Sequence, residues 1–400
     1  MYDSSNSVGI VDEELLFALN DSKGVHSSYF RKENNKQRIY TLDVMRGIAV
    51  ISMIISLPQY IFNDSDIYPV FKCTEWDGLN IGDFVMSLFL FVNGCSVYLS
   101  YLKNKDEYKT CELIGHICKK TIILVFCGVC FNWLAMKNPF CFETLMYTKI
   151  TSFFMRIGIC YLFISLLNLT GIVFVVIFIF ISFFIYIFFM HFYQVEYCGN
   201  NYLIPNCNFA SYADEIIFSR RHMKYPSDNL GFFCTLTAMY TTFSGYLVTY
   251  ILKKEQSFQK DQHNLRIISW FGAINLALFA VFTFLFNIPI NMSIYSSSFM
   301  FLISGIFPFL FVFIYYFTSL KKTNIYKKIC TPFECFGLNS LVLYTLTEVI
   351  NIIMTQVNLK NVMFMQKYIQ LRNLLYGFII LLFEGGIAVI LYIKRLHFKI

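Results

Sequence analysis

The sequence predicts an all-α fold: a polytopic membrane helix bundle of about ten transmembrane helices with both termini in the cytosol. Three observations carry that expectation. Apolar residues make up 57% of the 400 and charged residues only 14%, where soluble domains carry about a quarter charged. Mean hydropathy is +0.56. The apolar residues also gather into runs of about 20, the length a helix needs to cross a bilayer with its backbone groups satisfied internally.

Ten such runs lie near residues 43–62, 80–102, 120–136, 149–168, 170–190, 229–252, 266–286, 295–317, 332–356 and 372–393. His116, Lys119 and Lys120 crowd the start of the third, and a tight turn at Asn168 to Gly171 parts the fourth from the fifth. Residues 1–40 are polar and lack the charged-then-apolar order of a cleavable signal. They read as a disordered cytosolic tail ahead of a membrane domain over 41–400, which carries a long luminal loop at 191–228. Loop charges set the direction. With the tail in the cytosol, that side holds more than twice the Lys and Arg of the other. The net charge of +7 is therefore a topology signal and not a nucleic-acid footprint.

An ionisable side chain in mid-span costs about 2.5–3.5 kcal/mol on insertion scales and faces the bundle interior or a water-filled cavity. Asp43 and Arg46, three apart at the cytosolic mouth of the first run, can pair on one helix face. At 1.5 Å per residue, Arg156 lies about 10 Å and Glu348 about 12 Å inside the luminal ends of the fourth and ninth runs. Asp83 is within a turn of the luminal start of the second. These three either neutralise one another or line a polar cavity open to the lumen. Glu384, in the middle of the tenth run, has no evident partner in the sequence.

The luminal loops add further reactive side chains. Residues 63–79 contain Cys73, Glu75, Trp76 and Asp77, and the long loop carries His191, Cys198, Cys207, Asp214, His222 and Asp228. Cys198 and Cys207 read as a structural disulfide of an oxidising compartment. The rest of the thirteen cysteines mostly sit in the apolar runs as small hydrophobes, and no metal is expected. The sequons at Asn63 and Asn291 both fall on the luminal side.

With these residues in view, the chain resembles the heparan-α-glucosaminide N-acetyltransferase family of transmembrane acetyltransferases. The family's D-x-x-R-G-I-A is matched by Asp43, Arg46, Gly47, Ile48 and Ala49. Its H-A-x-W-N-G-L-x-x-A-D-x-V is met by Cys73, Trp76, Gly78, Leu79, Asp83 and Val85, and its R-I-P-G-V-L-Q-R-I by Lys149 through Ile157. The long loop follows with Cys198-Gly199, Leu203, Pro205, Cys207, Asn208, Tyr212, Asp214 and then His222. Near the end, G-x-N-S-x-x-x-Y-x-x-x-E-V is matched by Gly337, Asn339, Ser340, Tyr344, Glu348 and Val349.

The resemblance implies acetyl transfer from cytosolic acetyl-CoA to a luminal amine or hydroxyl, a small molecule or the amino sugar of a glycan. Arg46, Asp43, Arg156 and Asn339 are then expected to hold the cofactor, Arg46 first because guanidinium pairs bidentately with phosphate. Cys73, Asp83 and His222 are the catalytic candidates, and Trp76, Asp77, Asp214 and Glu348 the acceptor-binding ones. A homodimer in an endomembrane compartment, lysosome- or vacuole-like or of the ER and Golgi, is also implied. Four positions depart from the family pattern. Its histidine is Cys73, its P-x-N-K lysine is Met292, its D-P-E-G glutamate falls near Leu230, and its H-E histidine is Thr347. A cysteine accepts an acyl group when its thiolate is stabilised but is a poor base near neutral pH. A transporter of a small solute or acyl donor, or an inactive relative, are the alternative readings.

Overall fold

The computed structural model describes residues 39–56, 68–71, 73–136, 139, 141, 144, 146–195, 203–205, 207–219, 222–223, 230–254, 258–321, 324–356 and 369–396. Among the described residues, nine of the ten apolar runs each fall on one helix and the run near 332–356 on two. In chain order these are α1 Tyr40–Ser56, α2 Ile81–Asn104, α3 Thr110–Leu134, α4 Phe153–Thr170 and α5 Ile172–Phe192. A short α6, Phe209–Phe218, lies in the long loop. Then come α7 Thr235–Lys254, α8 Phe258–Ala280, α9 Ser297–Tyr315, α10 Asn324–Leu338, α11 Ser340–Gln356 and α12 Ile369–Ile393.

Among the described residues, seven helices are long and apolar enough to cross a membrane, and eight if the α10–α11 pair counts as one span. That pair bends by 69° at Asn339, where the sequence suggested one unbroken run. α3 begins ten residues ahead of its apolar run, because His116, Lys119 and Lys120 are part of the helix. α7 falls below the apolar threshold for a simple reason. It carries Thr235, Thr237, Thr241, Thr242 and Thr249, all buried, so neighbouring protein and not lipid surrounds them. α5 is the opposite case, with Val173, Phe174, Ile177, Phe180, Ile181, Phe184 and Phe188 exposed along it. Such a continuous apolar face is stable only in hydrocarbon. The chain is a multi-pass membrane protein.

Helices in lipid gain little from the hydrophobic effect and associate by close packing at small residues. Two crossings show it here. A Cβ on Gly47 of α1 would overlap the Phe333 carbonyl of α10, and one on Gly337 would overlap the Asp43 carbonyl of α1. In the same way Gly94 of α2 is pressed on the Thr242 carbonyl of α7, and Gly245 on that of Phe91. These contacts fix α1 against α10 and α2 against α7, and with them both ends of the site described next.

Candidate active site

The start of α2 is built by Asp83. Its carboxylate, at the third position of the helix, accepts the Asn80 backbone N–H at 2.8 Å. It also accepts the Thr74 N–H at 3.2 Å and the Thr74 hydroxyl at 3.1 Å. A carboxylate in a first turn that satisfies open N–H groups is a helix-capping arrangement, and it ties the loop carrying Thr74 to the helix. Asp83 is fully buried. The Cys73 side chain hydrogen-bonds the same carboxylate, and Cys73 itself is half-buried.

Downstream, the loop is pinned from two sides. Trp76 Nε1 donates to the Leu203 carbonyl at 2.7 Å. Asp77 Oδ1 accepts from Ile290 N at 2.9 Å while Gly78 N donates to Ile290 O at 2.9 Å. Gly78 has φ +128°, a region open to glycine at little cost. Trp76 and Asp77 thus dock the loop on its neighbours.

Cys73 opens on a cavity of about 320 Å³. Its walls come from α1 (Met53, Ser56), the start of α2 (Gly82, Val85, Met86), the end of α3 (Phe131, Asn132) and α11 (Tyr344, Glu348). Lys149, Ser152, Phe153 and Phe154 close one side. That side is held by Asn132, whose Nδ2 donates to the carbonyls of Lys149 at 2.8 Å and Thr151 at 3.0 Å. Ser152 then caps α4, its hydroxyl accepting Met155 N–H at 3.1 Å. Tyr344 stacks on Phe153 with ring centroids 4.7 Å apart and meets Phe154 edge-on at 4.6 Å. The Tyr344 hydroxyl hydrogen-bonds the Glu348 carboxylate. The cavity therefore has aromatic walls with one carboxylate, one lysine and one thiol exposed to it.

The remaining expected residues divide by place. His222 Nδ1 lies 2.9 Å from the Thr148 carbonyl, directly before the lysine that lines the cavity. Arg156 sits one layer behind the wall. It is fully buried, with Nη2 donating to the Gly231 carbonyl at 3.2 Å, Nη1 3.7 Å from Met86 Sδ, and its guanidinium 5.7 Å from the Tyr295 ring centre. Asp214, buried on α6, accepts from Phe232 N at 2.8 Å and Phe233 N at 3.2 Å. Arg156 and Asp214 thus grip the two sides of one turn, Gly231–Phe233, which leads into α7.

Asp43, Arg46 and Asn339 gather at the other end of α1. Arg46 Nη1 donates to Asp43 Oδ1 at 3.3 Å, and Nη2 to Ser96 Oγ on α2. Asp43 lies under Gly337, and two residues on Asn339 Nδ2 donates to the Leu396 carbonyl at 3.0 Å. Glu384, fully buried on α12, finds its partner in Thr347, whose hydroxyl lies 2.9 and 3.1 Å from the two carboxylate oxygens.

Other expectations resolve case by case. Cys207 is disulfide-bonded, and its expected partner Cys198 lies outside the described residues, as do Asn63 and Asp228. The Asn291 sequon is fully buried, its Oδ1 accepting Ile294 N–H at 3.0 Å, so the folded chain presents no glycosylation site there. Among the described residues no cluster of three His, Cys, Asp or Glu is arranged to hold a metal ion. Sequence reasoning did not single out Asn132, Ser56 or the aromatic wall. Tyr344 was visible only as a motif residue.

Three of the four positions that depart from the family pattern, Cys73, Leu230 and Met292, line this one cavity, and the fourth, Thr347, holds Glu384. Comparison with known sequences gives the relationship independently. Residues 38–212 match a family described as heparan-alpha-glucosaminide N-acetyltransferase, catalytic. The chain is 24% identical over 367 residues to the human protein named heparan-alpha-glucosaminide N-acetyltransferase, a match covering 78% of this chain and 53% of that one. The mouse protein of the same name is 26% identical over 141 residues, covering 34% and 20%. The chain thus spans about half the length of the human relative. The chain is thus similar, at low identity and over part of its length, to the heparan-alpha-glucosaminide N-acetyltransferases.

Proposed function

We propose that the chain is a membrane acyltransferase that moves an acetyl group from acetyl-CoA to an amine or hydroxyl acceptor seated in the cavity between Cys73 and Glu348. The observation that carries this reading is the cavity itself, which brings a thiol and a carboxylate from distant parts of the sequence to one aromatic-walled space. Ten spans with both termini and residues 1–40 on the cytosolic side complete the proposed topology, with the cavity on the luminal side of an endomembrane.

The donor would enter along α1. Arg46 at one end meets the phosphates, and Ser56 at the other end lines the cavity, an axial separation of about 15 Å at 1.5 Å per residue. Transfer takes two steps. Cys73 Sγ attacks the acetyl-CoA carbonyl, its proton leaving with the thiolate as CoA–SH. The acceptor then attacks acetyl-Cys73, forming the C–N or C–O bond as the C–S bond breaks and the Cys73 thiolate is restored. The proton lost by the acceptor goes to Glu348, the carboxylate on the cavity wall. Asp83 is poorly suited to that task, because three donors besides Cys73 already satisfy it. It fixes Cys73 in place instead. Cys73 can carry the acetyl group between donor and acceptor, since exchanging one thioester for another is nearly neutral in energy.

The acceptor class follows from the wall. Cys73, Leu230 and Met292 stand where the family pattern has ionisable residues, and each makes this cavity less polar. An amine on an apolar body suits the site better than a sugar ring, whose hydroxyls need partners when buried. The test is CoA release by the purified chain with acetyl-CoA and either phenethylamine or a glucosamine glycoside. Faster release with phenethylamine is expected. Release with neither, against a background in buffer alone, removes the acyltransferase reading.

A further inference from the structure

At the end of α2 away from Asp83, a small second pocket of about 40 Å³ lies between α2, α3 and α4. From Asp83 to Tyr101 the helix rises about 27 Å at 1.5 Å per residue, so this pocket and the Cys73 cavity belong to opposite faces of the bilayer. Its polar lining includes Ser100, Tyr101, Asn104, His116, Lys120 and Asn168, and no acidic residue among the described residues lines it. Glu112, Asp106 and Glu107, the acids near it in sequence, are exposed.

Lys120 and Asn168 are incompletely satisfied among the described residues. Lys120 is half-buried, and among the described residues its ammonium group meets only the Tyr161 ring, 5.9 Å away. A cation withdrawn from water into a helix bundle is costly unless a counter-charge meets it. Asn168 is 5% exposed, and its Oδ1 accepts the Tyr246 hydroxyl at 2.6 Å. Its Nδ2 donors, also buried, have no hydrogen-bond partner. A buried unpaired amide is expensive, and such a group in a native fold asks for a ligand or water. A cation, an unpaired amide donor, a histidine and three hydroxyl or amide groups converge with no acid among the described residues to oppose them. The volume has room for about three water-sized groups, which is the size of one tetrahedral oxyanion head.

We propose that this pocket is an oxyanion site that seats a single phosphate group, supplied by a phospholipid headgroup or by the 3′-phosphate of CoA. Lys120 provides the counter-charge and Asn168 a buried neutral donor. The lipid source stands apart from the proposed acyl transfer, whereas the CoA source rests on it.

The test uses the full chain in neutral phosphatidylcholine nanodiscs. Lys120→Met keeps the stem packing and removes the charge. Asn168→Asp keeps the shape and the acceptor for Tyr246 but places an acid in the pocket. Three ligands are compared: inorganic phosphate titrated at constant ionic strength, CoA beside dephospho-CoA, and phosphatidylglycerol retained through purification and read by native mass spectrometry. Binding of a phosphate-bearing ligand at least tenfold weaker in the variants is expected. A CoA to dephospho-CoA preference that collapses in Lys120→Met assigns the phosphate to CoA. An unchanged preference with loss of retained phosphatidylglycerol assigns it to lipid. If Asn168→Asp does not fold, Lys120→Met alone decides. Wild-type binding of all three ligands by Lys120→Met overturns the proposal.

Discussion

Cys73, in the loop before α2, and Glu348, on the second arm of a bent helix pair, line the same cavity of about 320 Å³. One sits on the Asp83 carboxylate that caps α2 and the other on the Tyr344 hydroxyl. Each is therefore held by a hydrogen bond to a neighbouring side chain. Replacing Glu348 by Gln keeps the size and the Tyr344 contact but removes the proton acceptor. The turnover number of CoA release should fall by about 10²–10⁴, the range for a general base, with little change in the acetyl-CoA KM. A steady-state comparison of the two proteins checks it.

Gly82 holds Cys73 close. A Cβ there would stand 3.0 Å from Cys73 N and from the Phe71 carbonyl, and 3.1 Å from Cys73 Sγ. Gly82→Ala must push the thiol aside by a few tenths of an ångström without opening the helix. Acyl transfer should drop by about tenfold or more, as small misplacements at reacting groups do. The circular dichroism spectrum should stay that of the wild type.

The helix crossings make a sharper stability contrast. Gly94→Ala forces a Cβ onto the Thr242 carbonyl of α7 and should cost about 1–3 kcal/mol or more, the range for overpacking. Gly115→Ala on α3 meets nothing within 4 Å and should be neutral or slightly stabilising. Melting temperatures in one detergent compare the two directly.

Glu384 depends on Thr347. Thr347→Val removes the hydroxyl from a fully buried carboxylate and should destabilise by about 1–3 kcal/mol. Changing both, Thr347→Val with Glu384→Leu, removes the unpaired group and should recover most of that loss. A double-mutant cycle on melting temperature reads the coupling.

Arg156 should report on the wall and not on the donor. Arg156→Met loses the bond to the Gly231 carbonyl and the Tyr295 ring contact. A loss of about 2 kcal/mol in stability is expected for a hydrogen bond to a charged group. The acetyl-CoA KM of the folded protein should be unchanged.

Much of the architecture could be read from the chain. Apolar run length located the helices, because a backbone in lipid has few ways to satisfy itself. Cys73 and Glu348 stood out as reactive groups at spans, and both reached the cavity. Asp83 and Arg156 stand out in the sequence as charged groups at spans and Asp214 as one in the long loop, yet all three bond backbone groups around helix starts. A carboxylate that caps amides and one that lines a cavity look alike in sequence, since the difference lies in which partner the fold supplies. The aromatic wall was hidden among 46 phenylalanines. The bend at Asn339 was hidden because α10 and α11 read as one apolar run, and only packing shows the break.

The most direct measurement is transfer of labelled acetyl from acetyl-CoA by wild type, Cys73→Ser and Glu348→Gln, each first shown to be folded by its melting temperature. Both variants should lose transfer, and the wild type without acceptor should hold thiol-sensitive label that Cys73→Ser lacks. Wild-type rates in both folded variants would place the chemistry away from the cavity that Cys73 and Glu348 share.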